Sequence, residues 1–280
     1  MASNGRIVRI NLTTSQATIE DVRQEDVEKF IGGAGVGAAM FTREVPPSTE
    51  AFASENMVIV SVGPFCGTAV PFNGRHFMVA KSPLTGLMGE ASAGGFFGKE
   101  LKCAGIDHLV IMGKSDKPVY LWIDDGKVEF KDATHLWGKG TRETEAGIKK
   151  DLGDDKIKIA SIGPAGEQLV RYAAVINEED RACGRTGIGA VWGSKHLKAI
   201  AVRGTGKPRV EHPDALTDVV KSTMPLIKSS LFAGVLSNFG TPANYSNEAI
   251  GDVPIKNYRE SRWKGNKSID NEALVKRKVG

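Results

Sequence analysis

The sequence predicts an α+β protein. A β-rich, internally duplicated domain is expected over residues 1–204, its halves related by a pseudo-twofold axis. A second domain, opened by a helix, is expected over 205–280. Three observations predict this. Short β-branched runs separated by Gly and Pro turns fill the first two hundred residues. The order of motifs in one half returns in the next. Composition then shifts at Gly204-Thr205-Gly206-Lys207-Pro208, a linker followed by the helix start Pro213-Asp214-Ala215-Leu216.

Each element has its local signal. Arg6 to Leu12 alternates polar and apolar residues and predicts a half-buried strand, paired with Gln16 to Glu20 across Thr13-Thr14-Ser15. Glu25 to Ile31 reads as a short helix stopped by Gly32-Gly33. Strands are predicted at Met57–Val62, His76–Ala80, Leu109–Met112, Val119–Ile123 and Lys127–Phe130, the last two joined by the hairpin signal Asp124-Asp125-Gly126. Thr144 to Leu152, closed by Gly153, predicts a helix. The helix opened at Pro213 is expected to run towards Ser230 with a bend at Pro225. Lys264, Lys267, Lys276, Arg277 and Lys278 make the end basic.

The duplication is visible on self-comparison. Ser61-Val62-Gly63-Pro64 returns as Ser161-Ile162-Gly163-Pro164. Gly95-Phe96-Phe97-Gly98-Lys99-Glu100-Leu101-Lys102 returns, with two insertions, from Gly189 to Lys198. An apolar strand and a glycine follow each copy, at Leu109–Gly113 and Ala199–Gly204. A unit of roughly 90–100 residues is too long for a solenoid repeat and implies a folded half-domain. One ligand with two similar halves would suit such an axis.

Composition bounds the chemistry. Apolar residues make 41% and charged residues 25%, as in globular proteins, and the net charge of +4 is too mild to argue for nucleic acid. No stretch approaches the roughly 20 apolar residues of a membrane span, and Met1 to Arg6 shows no signal-peptide core. Cys66, Cys103 and Cys183 make no zinc or disulfide framework and read as small buried residues, which fits a reducing cytoplasmic setting. The five histidines form no cluster and no Ser/His/Asp set is readable.

Glycine is in excess, 33 of 280 residues, and gathers in two loops. Lys81 to Gly95, preceded by Gly74-Arg75, is the first; Asp180 to Gly189 is the second. Small residues ahead of a short amphipathic segment leave backbone N–H groups open to an anion. Neither loop has P-loop spacing, and Gly187-x-Gly189 and Gly33-Ala34-Gly35 both fail the dinucleotide pattern. Arg75, Arg181 and Arg185 flank these loops and can fork onto a phosphate or carboxylate. Glu178-Glu179-Asp180 reads as a solvated turn, with Asp180 placed to orient Arg181. The residues describe an anion platform without bond-cleaving machinery.

These motifs resemble the aldehyde ferredoxin oxidoreductases. The match is carried by Gly74-Arg75, Lys81-Ser82-Pro83-Leu84-Thr85-Gly86, Gly94-Gly95-Phe96-Phe97-Gly98, Trp137-Gly138, Ile159 to Glu167, and the run from Arg181-Ala182-x-Gly184-Arg185 to Ile200. The resemblance implies two sheets about a pseudo-twofold axis, and then mostly helical domains. It implies a tungsten (or molybdenum) bis-molybdopterin cofactor, a magnesium ion bridging its phosphates, and a nearby 4Fe–4S cluster. Carried over, Arg75 would lie between cluster and pterin. Ser92, Gly94, Arg181, Ala182, Gly184 and Arg185 would hold the phosphates, with Ala182 and Ser92 at the magnesium. Family members often have Asn where this chain has Ser92, so a magnesium-bound water is expected to intervene there.

Family members run to about twice this length. The cluster cysteines and the catalytic acid and histidine are expected beyond Lys276-Arg277-Lys278-Val279-Gly280, in a missing C-terminal half or a partner chain. The implied function is the cofactor-binding part of a tungsten-dependent enzyme that oxidises an aldehyde and passes electrons to ferredoxin or an electron-transfer subunit. A homodimer stays open. Membrane and nucleic-acid partners are not expected, and the chain alone is expected to be inactive. The alternative is a stand-alone molybdopterin-binding or structural module without catalysis.

Overall fold

The computed structural model describes residues 5–243 and 250–277. The readings placed on residues 1–4 and 278–280 lie outside them. The chain divides into two compact units, Met1–Pro213 and Asp214–Gly280.

The first unit holds two sheets of six strands. Sheet one comprises β1 (Arg6–Asn11), β2 (Gln16–Asp21), β3 (Val58–Val62), β4 (His76–Lys81), β5 (Met88–Ala93) and β6 (His108–Met112), in the order β2-β1-β6-β3-β4-β5. Sheet two comprises β7 (Val119–Asp124), β8 (Lys127–Asp132), β9 (Lys158–Ser161), β10 (Val175–Asn177), β11 (Arg181–Cys183) and β12 (Leu197–Arg203), in the order β8-β7-β12-β9-β10-β11. The two orders are the same list shifted by six. Strand directions repeat too: β1–β6 and β7–β12 are the parallel pairs, and the other pairs are antiparallel. The repeat therefore includes the hairpins β1–β2 and β7–β8, which the motif comparison did not reach.

Side-chain alternation decides the layers. In β3, Val58, Val60 and Val62 face one core while Ile59 faces another, as a period of two requires. The central core joins both sheets, with Val8, Ile10, Leu109 and Ile111 from one meeting Leu121, Ile123, Ile200 and Val202 from the other. Two helices cover the outer faces. Val36, Met40 and Phe41 of α2 (Gly33–Glu44) pack on Ile7, Ile59 and Val110. Ile148 of α4 (Thr141–Leu152) packs with Tyr120, Ile159 and Ala201. Buried strands on both faces read as continuous apolar runs, which is why these were legible.

α2 was not. After α1 (Gln24–Phe30) the chain turns at Ile31 and Gly32, with φ of 68° and 153°, and immediately starts a new helix. A segment with three glycines has poor helix propensity, so tertiary packing supplies the order. At Gly37 a Cβ would come within 2.9 Å of Ser61 Oγ, so glycine is what lets α2 lie this close to β3.

Short helices α3 (Phe97–Cys103) and α6 (Ile188–Ser194) interlock the halves. α3 touches β3 of its own sheet and β9 and β12 of the other; α6 touches β12 and also β3 and β4. The Leu-Lys match within the repeat does not mark equivalent positions, because Leu101-Lys102 lies in α3 and Leu197-Lys198 in β12. Both lysines are nonetheless fully buried and paired, Lys102 to Asp107 at 2.6 Å and Lys198 to Glu167 of α5 (Pro164–Glu167).

In the second unit, α7 (Pro213–Ser229) continues through Pro225 and α8 (Leu231–Phe239) follows at 74°. Ser230 Oγ accepts from the Ala233 amide and caps α8. α9 (Asn271–Arg277) closes the described chain. No single helix among the described residues is long and apolar enough to cross a membrane.

Removing one member of a buried pair leaves the other charge uncompensated. Lys198→Met is expected to cost about 3–5 kcal/mol in denaturant unfolding. The exposed control Lys127→Met should stay within about 0.5 kcal/mol. Equal costs would show that the Glu167 pair is not what holds β12 against α5.

Candidate functional site

The two Gly-rich loops are only partly loops. Residues Met88–Ala93 form β5 and Arg181–Cys183 form β11, and these are the matching end strands of the two sheets. Neither shows a strand-like apolar run, because each has one solvent-facing side. The structure sets β5 and β11 beside each other, so the duplication brings both loops to one seam.

From the first half come Arg75, Ser92 and Gly94. Arg75 precedes β4, and its guanidinium donates to Ser92 Oγ at 3.2 Å. Ser92 sits opposite Phe77 on β5, between the buried Ala91 and Ala93, so its hydroxyl side faces outward. Nothing lies within 4 Å of the place a Cβ would take on Gly94. From the second half come Arg181, Ala182, Gly184 and Arg185, all exposed. Arg181 lies 3.8 Å from Asp180 with both side chains largely in solvent, a weak pair that orients little. Arg185 makes no ion pair among the described residues. All seven residues singled out from the sequence thus lie along one seam; among the described residues Arg75 and Arg185 make no ion pair, and Arg181 only the loose one to Asp180.

Four contacts stitch this seam. Asn177 Nδ2 donates to the Gly94 carbonyl at 3.1 Å, and the Phe96 amide donates to Glu178 Oε1 at 2.6 Å. Gly89 lies against Thr186. Beneath the surface, His76 Nε2 lies 3.6 Å from Cys183 Sγ, and its ring packs on Phe97 at 5.0 Å. Sequence reasoning passed over all of these. Glu178 in particular belongs to no solvated turn: it is half-buried, while Glu179 and Asp180 are exposed. No spacing rule flags a contact across 82 residues.

Burial sets the titration of the groups below. It pushes the His76 imidazole down to about 4, and the buried His76 Nδ1 has no hydrogen-bond partner among the described residues. It pushes the Cys183 thiol up to about 12, with Glu90 adding and Arg75 opposing. Cys66 rises to about 11 for the same reason. These thiols are inert buried residues rather than nucleophiles. Among the described residues no three His, Cys, Asp or Glu side chains gather to hold a metal ion. A cleft of about 590 Å³ lies elsewhere, between α1 and α2. The seam is an open shelf with three guanidiniums along it, able to hold anionic groups by guanidinium forks and exposed backbone.

Burial also lowers His108, to about 4, with Asp107 opposing and Lys102 adding to the shift. Both histidines ordinarily titrate at 6.5. The unfolded chain therefore binds more protons in the intervening range, and stability is full above 6.5 and falls as pH drops towards 4. Urea unfolding at closely spaced pH values should show this loss, and His76→Phe should reduce its slope. An unchanged slope in that variant would place the acid sensitivity elsewhere.

Comparison with known proteins matches this architecture. The profile of the aldehyde ferredoxin oxidoreductase N-terminal domain matches residues 7–204. The chain is 43% identical over 258 residues to the tungsten-containing aldehyde ferredoxin oxidoreductase of Pyrococcus furiosus, covering 91% of this chain and 42% of that one. It is 41% identical over 274 residues to the Pyrococcus horikoshii protein of that description, covering 97% and 45%. An aliphatic sulfonate oxidoreductase WOR-like subunit of Pyrococcus furiosus is 33% identical over 221 residues, covering 73% and 35%. Among solved structures, a chain of the BamBC active-site complex of benzoyl coenzyme A reductase superposes with a TM-score of 0.79 at 39% identity, covering 81% of this chain and 35% of that one. The chain spans less than half the length of these relatives. Through the duplicated domain that carries the seam, this chain belongs to the aldehyde ferredoxin oxidoreductase family.

Proposed function

We propose that the seam is the base on which a tungsten bis-molybdopterin cofactor lies, in a longer enzyme that oxidises an aldehyde to a carboxylic acid. The observation that carries this reading is the convergence of Arg75 with Arg181 and Arg185 from topologically equivalent edges. A bis-pterin has two like halves, each ending in a phosphate, and a duplicated fold offers each half an equivalent edge.

The donor set fits such a group. Guanidiniums without close acid partners bind phosphate bidentately. The open backbone at Gly94 and Gly184 lets an oxygen approach the chain, since the nearest atom to a Gly184 Cβ would be Ala182 Cβ at 3.7 Å. Arg181 and Arg185 would hold one phosphate region, with the Ala182 carbonyl turned to a magnesium ion. Ser92 Oγ already accepts from Arg75, so its proton is left to donate to a phosphate or a magnesium-bound water, and a guanidinium at 3.2 Å disfavours a second cation on that same oxygen. Exposed Phe72, Phe96 and Tyr172, near the seam in sequence, offer apolar surface for the flanks of a fused-ring ligand. When bound, the cofactor would supply the oxidation chemistry, with a 4Fe–4S cluster held by the rest of the enzyme as the expected route for electrons to ferredoxin.

Metal content tests the reading. Elemental mass spectrometry on the complete protein from its native source should find about one tungsten per chain. An intact native product without tungsten or molybdenum would favour a binding or structural module. Arg181→Ala should lower retained tungsten roughly tenfold, as the loss of a charge-assisted pair implies. Lys127→Ala, on the exposed β7–β8 hairpin, should leave it unchanged. The 280 residues alone should show no aldehyde oxidation; turnover by them would place the catalytic groups within this chain.

A further inference from the structure

We infer that Glu178 is a positioning residue, a clasp from the second half onto the first that fixes the spacing between the two anion-binding edges of the seam. The inference rests on the proposed reading of the seam as a cofactor base.

The clasp has three independent marks. Its carboxylate accepts from the Phe96 amide at 2.6 Å and from the Phe97 amide, where the first half turns from Gly94-Gly95 into α3. Gly95 has φ of 95°, and a Cβ there would fall on the Glu178 carboxylate, so the first half is shaped to admit it. The backbone at Glu178 and the next residue is costly. Glu178 and Glu179 have φ of 51° and 68°, adjacent left-handed positions that Asn or Gly would occupy at less cost. The side chain accounts for glutamate at that place. Asn177, immediately before it, adds the parallel tie to the Gly94 carbonyl.

Position gives the clasp its consequence. Glu178 opens the turn from β10 to β11, three residues before Arg181 and four before Ala182, and it grips the chain two residues after Gly94. Any slack there moves Arg181 and Arg185 relative to Arg75 and Ser92. Burial pushes the Glu178 carboxyl up, with the Phe96 amide and Lys158 opposing, which marks it as withdrawn from solvent.

The test uses the complete native protein in three variants: Glu178→Ala, Glu178→Asp and Glu178→Gln. Asp keeps the charge but is one methylene too short to reach, while Gln keeps an acceptor at full length. Deuterium exchange at Phe96 and Phe97, melting temperature, and tungsten retained after dialysis are read together. The expected result is faster exchange in Ala and Asp, roughly tenfold lower tungsten retention in both, and recovery of most of it in Gln. Should the Ala variant fail to fold, Asp against Gln carries the same comparison. Faster exchange with wild-type retention overturns the clasp while leaving the platform standing. Retention that merely follows melting temperature across the variants overturns it too. Loss of the Arg181→Ala effect would remove the platform reading itself, an outcome these variants do not mimic.

Discussion

Everything at the site depends on two strand edges meeting. A sheet edge is ordinarily a liability, with unpaired backbone that invites other chains. Here β5 and β11 end their sheets at the same place, and side chains rather than a hydrogen-bond ladder bind them: Asn177 to Gly94, Glu178 to Phe96, and His76 beside Cys183 below. The result is a surface contributed equally by distant parts of the chain. Its cations need no buried counter-charges because they stand in solvent, where an unpaired guanidinium costs little.

Interlocking makes that seam rigid. α3 and α6 each lean on the other half's sheet, and one apolar core runs through both. The halves therefore share their stability rather than adding it. Lys102 and Lys198 show the same economy with charge: each is fully buried and each is answered by one carboxylate. Such pairs add little net stability but penalise any packing that separates them.

How much of this could be read beforehand differs by element. Strands such as β3, with Val58, Val60 and Val62 alternating against Ile59 and Ser61, were legible because two buried faces leave a nearly unbroken apolar run. The duplication was legible from Ser-x-Gly-Pro turns, and the Gly-rich loops that single out the arginines are brought by the fold to one seam. What stayed hidden followed from contacts with no local signal. α2 is a helix of small residues ordered by its close approach to β3. β5 and β11 look like loops because Met88-Gly89-Glu90-Ala91-Ser92-Ala93 and Arg181-Ala182-Cys183 hold small and polar residues with no β-branched side chain. Glu178 sits in an acidic run whose neighbours are indeed solvated, and only the fold distinguishes it from them.

The shared topology of the halves conceals a difference in chemistry. Along β5 the outward contribution is the Ser92 hydroxyl backed by one guanidinium, with Glu90 two residues before it; along and just after β11 it is two guanidiniums and open backbone. The scaffold treats its two edges alike, yet what they present has diverged. A ligand made of two like parts would lose its own symmetry on binding, one end more strongly gripped by charge than the other. Two chemically identical ends would thereby acquire distinct electronic surroundings without any change in the ligand itself.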